Sequence, residues 1–164
     1  MDNNSPSEED SYSPVYFERY IDLTIEGEPV GKGRPRVTSR GKFAHAYTPA
    51  KTKNYERLAS NTYLEKYNYD DQLKGPIEAT MECYFPIPKG FTKKVKKFIS
   101  NNKVYYTKKP DIDNIVKSVL DSLNGLAYED DSQIIKLSVK KLYSDNPRVE
   151  LHLKELYNNN GENK

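Results

Sequence analysis

The stretch that most restricts how this chain can fold runs from Lys108 to Gln133, KKPDIDNIVKSVLDSLNGLAYEDDSQ. Two tight pairs of acids, Asp111/Asp113 and Asp130/Asp131, bracket an apolar pattern with helical spacing. Ile112, Ile115, Val116, Val119, Leu120 and Leu123 make one wide apolar stripe, so this is a helix laid on a core. Pro110 closes the preceding extended segment, and Gly125 is a natural residue just past the helix end. Asp113, Lys117 and Asp121, spaced by four, lie along the polar side.

Two acids separated by one residue inside a helix point about 200° apart. Asp111 and Asp113 converge only if Asp111 stands outside the helix, extended or at the N-cap, with Asp113 in the first turn. Capping is one reading of such a pair, because acids at a helix N-terminus suit the macrodipole and accept from free N–H groups. The second pair supplies another. Glu129, Asp130 and Asp131 repel one another, so either a cation relieves them or they are a solvated turn. A helix that starts with carboxylates and ends in a loop returning carboxylates suits a hard cation, Mg²⁺ or Mn²⁺, held by oxygen. A calcium EF-hand loop is excluded, since Ile115 and Val116 occupy the places of an oxygen ligand and the invariant glycine.

Upstream, the composition changes sharply. Between Gly31 and Asn54 stand Lys32, Arg34, Arg36, Arg40, Lys42, Lys51 and Lys53, without a single acid. Gly33, Pro35 and Gly41 forbid a regular helix there, and Phe43, His45 and Tyr47 interleave rings with the charge. A solvated basic loop is the plain reading. An acid-free run this long also suits contacts to phosphates, with rings near bases. Net charge is only +2, so any case for nucleic acid rests on this local clustering.

These two stretches resemble RusA-type Holliday junction resolvases, in particular the phage and prophage branch. KKPDIDNIVKSVLDSLNGLAYEDDSQI carries the signature and GKGRPRVTSRG…AYTPAKTKNYE matches the same branch, so the likeness covers about Tyr20 to Tyr157. The resemblance implies a homodimer that cuts four-way DNA junctions with Mg²⁺. It implies three catalytic aspartates, matched by Asp111, Asp113 and Asp131, and a lysine one turn after the second of them, matched by Lys117. Asp130 is then a fourth ligand or a carboxylate behind the ligands. Lys117 steadies a phosphate oxygen or orients Asp113; its plain reading is a surface pair with Asp113 and Asp121. Lys32, Arg34, Arg36, Arg40, Lys42 and Lys51 become the DNA-contacting residues.

The rest of the chain fits one domain. Residues 1–14 read as a disordered acidic tail, 15–157 as a single nuclease-like domain and 158–164 as a polar tail. Strands are expected at Tyr20–Gly27, Ile77–Phe85, Ile134–Tyr143 and Val149–Tyr157, the last two forming a hairpin around Asp145–Pro147. Helices are expected from Thr48 (N-cap) and Pro49 to Tyr67, and over Thr92–Ser100, where a lysine cluster gives a solubilising face or a second phosphate surface. The predicted fold is α+β, one layer of helices on one mixed or antiparallel sheet. One cysteine, Cys83, gives neither a disulfide framework nor a zinc site. His152, on a strand among apolar neighbours, reads as structural, and no nucleophile triad is visible. No stretch has membrane-spanning length, and a cytoplasmic protein is expected.

The resulting expectation is a Mg²⁺-dependent, structure-selective endodeoxyribonuclease acting on branched DNA. Its rivals are a less discriminating flap nuclease and a catalytically silent nucleic-acid-binding protein.

Overall fold

The structure, a computed structural model, describes residues 19–34, 36–40, 43–101 and 104–156, with the backbone alone at 36–40 and 43–46. Both terminal tails and Lys42 lie outside the described residues. Among the described residues six strands and three α-helices follow one another: β1 (Tyr20–Glu26), β2 (Arg36–Arg40), β3 (Phe43–Tyr47), α1 (Ala50–Lys66), β4 (Ile77–Pro86), α2 (Lys93–Ser100), α3 (Ile112–Asp121), β5 (Ile134–Ser144) and β6 (Arg148–Glu155). This is the expected α+β arrangement, with α1 and α3 over a four-stranded mixed sheet of order β1-β6-β4-β5.

Alternation builds the sheet. Ile21, Leu23 and Ile25 of β1, Ile77, Ala79, Met81, Cys83 and Phe85 of β4, and Val149, Leu151 and Leu153 of β6 are each at most 2 % exposed. All point to the helical side, because successive residues of a strand face opposite ways. The Val, Leu, Ile, Phe and Met side chains among them each contribute roughly 1.5–3 kcal/mol when fully buried. Charged residues occupy the other face, where Lys136 meets Glu78 at 3.1 Å and Lys140 meets Glu82 at 3.8 Å. His152 belongs to this outer face, not to the core. Its Nδ1 lies 2.5 Å from Asp22 Oδ1 and its ring stacks on Tyr20.

Four expectations need correction. β5 and β6 are not a hairpin: β4 lies between them, parallel to β5 and antiparallel to β6. Three residues of connection suffice to step across the interposed strand, two spacings of about 4.8 Å each. The basic stretch is not a plain loop, since β2 and β3 pair antiparallel from Arg36↔Tyr47 to Arg40↔Phe43. α1 begins one residue later than expected, with Pro49 itself at the N-cap, extended at ψ 139 and without a side-chain cap. α3 ends at Asp121, because Leu123 N–H bonds the Leu120 carbonyl and tightens the last turn. Gly125, at φ +72, serves the next turn instead, donating to Tyr128 O.

Within α3 the buried stripe is Ile115, Val119 and Leu120, joined by Ser118, and Leu123 just beyond the helix; Ile112 is 43 % exposed. Among the described residues, no helix is long and apolar enough to cross a membrane.

Candidate active site

The acids stand where the chain changes direction. Asp111 is the N-cap residue of α3, extended at φ −70, ψ 151, and Asp113 sits in the first turn. That is the geometry in which two carboxylates one residue apart can converge. The Asp111 side chain makes no capping bond, and Asp113 receives only a long 3.4 Å contact from Asn114 Nδ2. Both are exposed. Their oxygens are therefore uncommitted, and the capping alternative for Asp111 has no bond behind it.

Asp130 differs. It caps a short 3₁₀ turn over Asp131–Gln133, accepting from Ser132 N at 2.9 Å. Hydrogen bonding by Ser132, through its side chain first and its backbone N–H second, holds the Asp130 carboxyl below the usual carboxylate range. Gln133 completes the turn: its Oε1 accepts from Glu129 N (2.8 Å) and Asp130 N (3.2 Å), while Nε2 donates to Leu73 O and Gly75 O. Tyr128 fastens this loop to the helix. Fully buried, its hydroxyl donates to Leu120 O at 2.8 Å. Burial first, then the negative charges of Asp131, Asp121 and Asp130, push that phenol well above its ordinary range.

Among the described residues, no group of three or more His, Cys, Asp or Glu side chains is gathered closely enough to hold a metal ion. Asp111, Asp113 and Asp131 are thus not a ready-made cage. The donor chemistry nevertheless fits Mg²⁺, which commonly takes one or two carboxylates and completes its shell with water and substrate phosphate. Carboxylates without such a cation have no reason to close on one another.

The turn before Asp111 is clamped from two sides. Lys141 Nζ donates to Lys108 O (2.5 Å) and Pro110 O (2.7 Å), and Tyr106 Oη donates to Lys109 O at 2.9 Å. The Lys141 ammonium also lies 5.1 Å from the Tyr106 ring centre, within cation–π range. Neither residue follows from motif spacing. A signal did exist for Lys141, a lysine in register with Ile135, Leu137 and Val139 on the apolar side of β5.

A second charged cluster ties α1, α3 and the segment after β1. Lys32 Nζ meets Asp121 Oδ2 at 2.5 Å and Glu56 Oε1 at 3.1 Å, while Lys117 Nζ lies 3.5 Å from the same Asp121 oxygen. Burial alone lowers the Lys32 ammonium, but hydrogen bonds to Asp121 and Glu56 outweigh it and hold it above its ordinary value. Lys117, 63 % exposed, is the looser of the two partners. Asp113 is not among its contacts.

An open cleft of about 820 Å³ runs beside Asp111, with Lys32, Arg34, Lys51, Lys109 and Asn114 on its walls. Gly31 lets the backbone pass close by, since a Cβ there would lie 2.8 Å from that of Pro110. Arg36 and Arg40 lie on β2, their side chains outside the described residues, as is Lys42.

Comparison with known proteins agrees with this geometry. The family described as "Endodeoxyribonuclease RusA" matches residues 26–154. "Uncharacterized protein YqaN" of Bacillus subtilis (strain 168) is 38 % identical over 138 residues, covering 83 % of this chain and 96 % of that protein. "Crossover junction endodeoxyribonuclease rusA" of Lactococcus phage r1t is 39 % identical over 51 residues, 30 % of this chain and 39 % of the phage protein. The RusA match spans both the basic stretch and the paired acids and takes in β4, β5 and nearly all of β6. The chain belongs to the RusA endodeoxyribonuclease family, the Holliday junction resolvases.

Proposed function

We propose that this protein resolves Holliday junctions by Mg²⁺-dependent hydrolysis of one phosphodiester in each of two opposed strands, acting as a homodimer. The observation that carries the reading is Asp111, at an N-cap position yet making no capping bond, beside a cleft walled by cations. A residue placed at a cap and left unused as one is available for other chemistry.

In this reading Asp111, Asp113 and Asp131 hold the metal, with Mn²⁺ an acceptable substitute, and Asp130 stays on its turn as a neighbouring negative charge. Bound there, the cation supplies counter-charge for the phosphate and a lowered pKa for water. Arg34, Lys51 and Lys109 draw the sugar–phosphate backbone into the cleft. Lys117 swings from Asp121 to a phosphate oxygen. The change costs little, because exposed pairs of this spacing are worth about 0.3–0.5 kcal/mol and Lys32 continues to satisfy Asp121. A symmetric pair of subunits presents two such sites to a junction that is itself roughly two-fold symmetric.

The test is nicking of a labelled four-way junction against a linear duplex of the same sequence, with and without Mg²⁺. Junction-selective, metal-dependent, symmetrically paired nicks are expected. Equal cutting of flaps and junctions would indicate a broader branched-DNA nuclease. Binding without cutting under every metal condition would refute the catalytic assignment. Light scattering at micromolar concentration should return the dimer mass; a fully active monomer would overturn the two-subunit reading.

A further inference from the structure

The free edge of the sheet is unlike its other surfaces. β5 is the terminal strand, paired with β4 on one side. On the other side the segment around Tyr105 covers only its far end, through the Tyr105↔Leu142 bridge and a 3.0 Å bond from Tyr106 N to Lys141 O. Among the described residues nothing pairs with the stretch from Ile134 to Lys140. Within it Ile135 is 64 % exposed and Leu137 40 % exposed, on a strand whose neighbours on the helical face are buried to 2 % or less. Exposed lysines usually guard such an edge. Here the ammoniums of Lys136 and Lys140 lie back on Glu78 and Glu82 of β4, so they do not screen it.

We infer that this open edge is the dimer interface: two copies of β5 pair antiparallel about a two-fold axis through Leu137, joining the two sheets into one. The inference rests on the two-subunit reading above and names the surface that serves it.

Charge selects the register. A two-fold axis pairs each residue with a symmetry-related one, and any register centred on a residue keeps like faces together, because strand side chains alternate. Centred on Ser138, Lys136 stands directly across from Lys140 of the second copy. Centred on Lys136, that lysine faces its own copy. Both arrangements set like charges opposite one another, which is destabilising. Centred on Leu137, Lys136 faces Ser138 and Leu137 meets itself, while Ile135, skipped where the β4–β5 register shifts, lies just beyond the regular pairs. The seven residues this register uses, Ile134 to Lys140, are also those left uncovered between the 3₁₀ turn at Asp131–Gln133 and the Tyr105 bridge.

The arrangement has a functional corollary. Each acidic loop immediately precedes β5, so the two loops fall at opposite ends of the joined strands. Their attachment points at Ile134 are six residue steps apart, roughly 20 Å at strand rise. Two sites facing opposite ways across a two-fold axis suit two cuts in opposed strands.

The experiment uses the full chain and Leu137→Cys. Two cysteines directly opposite on antiparallel strands lie within disulfide range. Native Cys83 does not compete, being fully buried with its thiol pushed up to about 12 by burial. Mild oxidation should convert most of Leu137→Cys to a covalent dimer, while Glu65→Cys, exposed on α1, stays uncrosslinked. The double variant Ile135→Lys with Leu137→Lys should sediment as a folded monomer, since both side chains are already wet in the single subunit. A wild-type dimer with no Leu137→Cys crosslink, and a lysine variant still dimeric, would place the interface elsewhere and leave the two-subunit reading intact. A wild-type monomer would overturn both.

Discussion

Replacing Lys141 by Met tests whether the turn ahead of Asp111 is held in place for chemistry. Methionine keeps an unbranched apolar stem against Phe85 and Tyr106 and removes only the ammonium. Two hydrogen bonds vanish, to Lys108 O at 2.5 Å and Pro110 O at 2.7 Å. A hydrogen bond to a charged group contributes about 1.5–3 kcal/mol. The Lys108 end is exposed and regains water, so the expected loss is about 2–3 kcal/mol rather than the sum. Tyr106 still holds Lys109 O, which keeps the turn from unravelling altogether. Chemical denaturation should show that loss as a shifted midpoint at constant slope. Single-turnover nicking with saturating enzyme should fall about 100-fold, the usual consequence of misplacing a reacting group by an ångström. Junction affinity should change far less, and Lys141→Arg should recover part of the rate. Full-rate nicking by correctly folded Lys141→Met protein would refute the positioning argument, and unchanged stability would refute the hydrogen bonds themselves.

Asp113→Asn should cut metal-dependent nicking by about 10³-fold or more, the scale of losing a ligand's charge at a catalytic cation. Stability should move by no more than the roughly 0.3–1 kcal/mol of a helix-terminus charge, and metal-free junction binding should hold or tighten; retained cleavage would sink the ligand assignment. Alanine at Arg34 and Lys51 together should flatten the salt dependence of binding by about two units of log–log slope, read by titration at several salt concentrations. Lys32→Met should lower stability by about 2 kcal/mol, because Asp121 and Glu56 lose a charged donor. The Lys32 ammonium is held above its ordinary 10.5, so this contribution is fully present below that value and disappears as pH rises through the higher folded-state value. The gap between wild type and variant should therefore stay constant from pH 6 to about 9, as followed by thermal melts. Tyr128→Phe, removing a buried hydroxyl bonded to Leu120 O, should cost about 1–2 kcal/mol in chemical denaturation.

What the sequence revealed depended on how local the physics was. The alternation in Ile77–Phe85 and the spacing of Ile115, Val119 and Leu120 are short-range signals, and both elements stand where periodicity puts them. Rotation per residue made convergence of the two acids conditional on Asp111 standing outside the helix, and that is where it stands. The β5–β6 hairpin failed because strand order is a tertiary choice: a turn at Asp145–Pro147 says that the chain reverses, not that its two arms touch. The β2–β3 pair was hidden by Gly33, Pro35 and Gly41 around it, since Gly and Pro are poor strand formers. Gly125 was legible as a residue at positive φ, but the turn it serves was set by Leu123 and Tyr128. In the candidate site, carboxylates came from spacing, whereas Lys141, Tyr106 and Gln133 act across the fold on backbone carbonyls and amides, where no motif records them.

The interposed strand also bears on how the chain reaches its fold. β5 and β6 are joined by three residues, so pairing them is the nearest long-strand contact available, and hairpins close in about 1–10 μs. The native partner of both is β4, separated from β5 by α2 and α3, and contacts of that sequence distance form late. A chain that zips β5 onto β6 first must open again to admit β4. Refolding from denaturant is then expected to show a rollover of the folding limb at low denaturant, the mark of a populated intermediate. Weakening the Asp145–Pro147 turn should remove that rollover and speed folding while lowering final stability, so the residues that most favour the local reversal are the ones that delay the sheet.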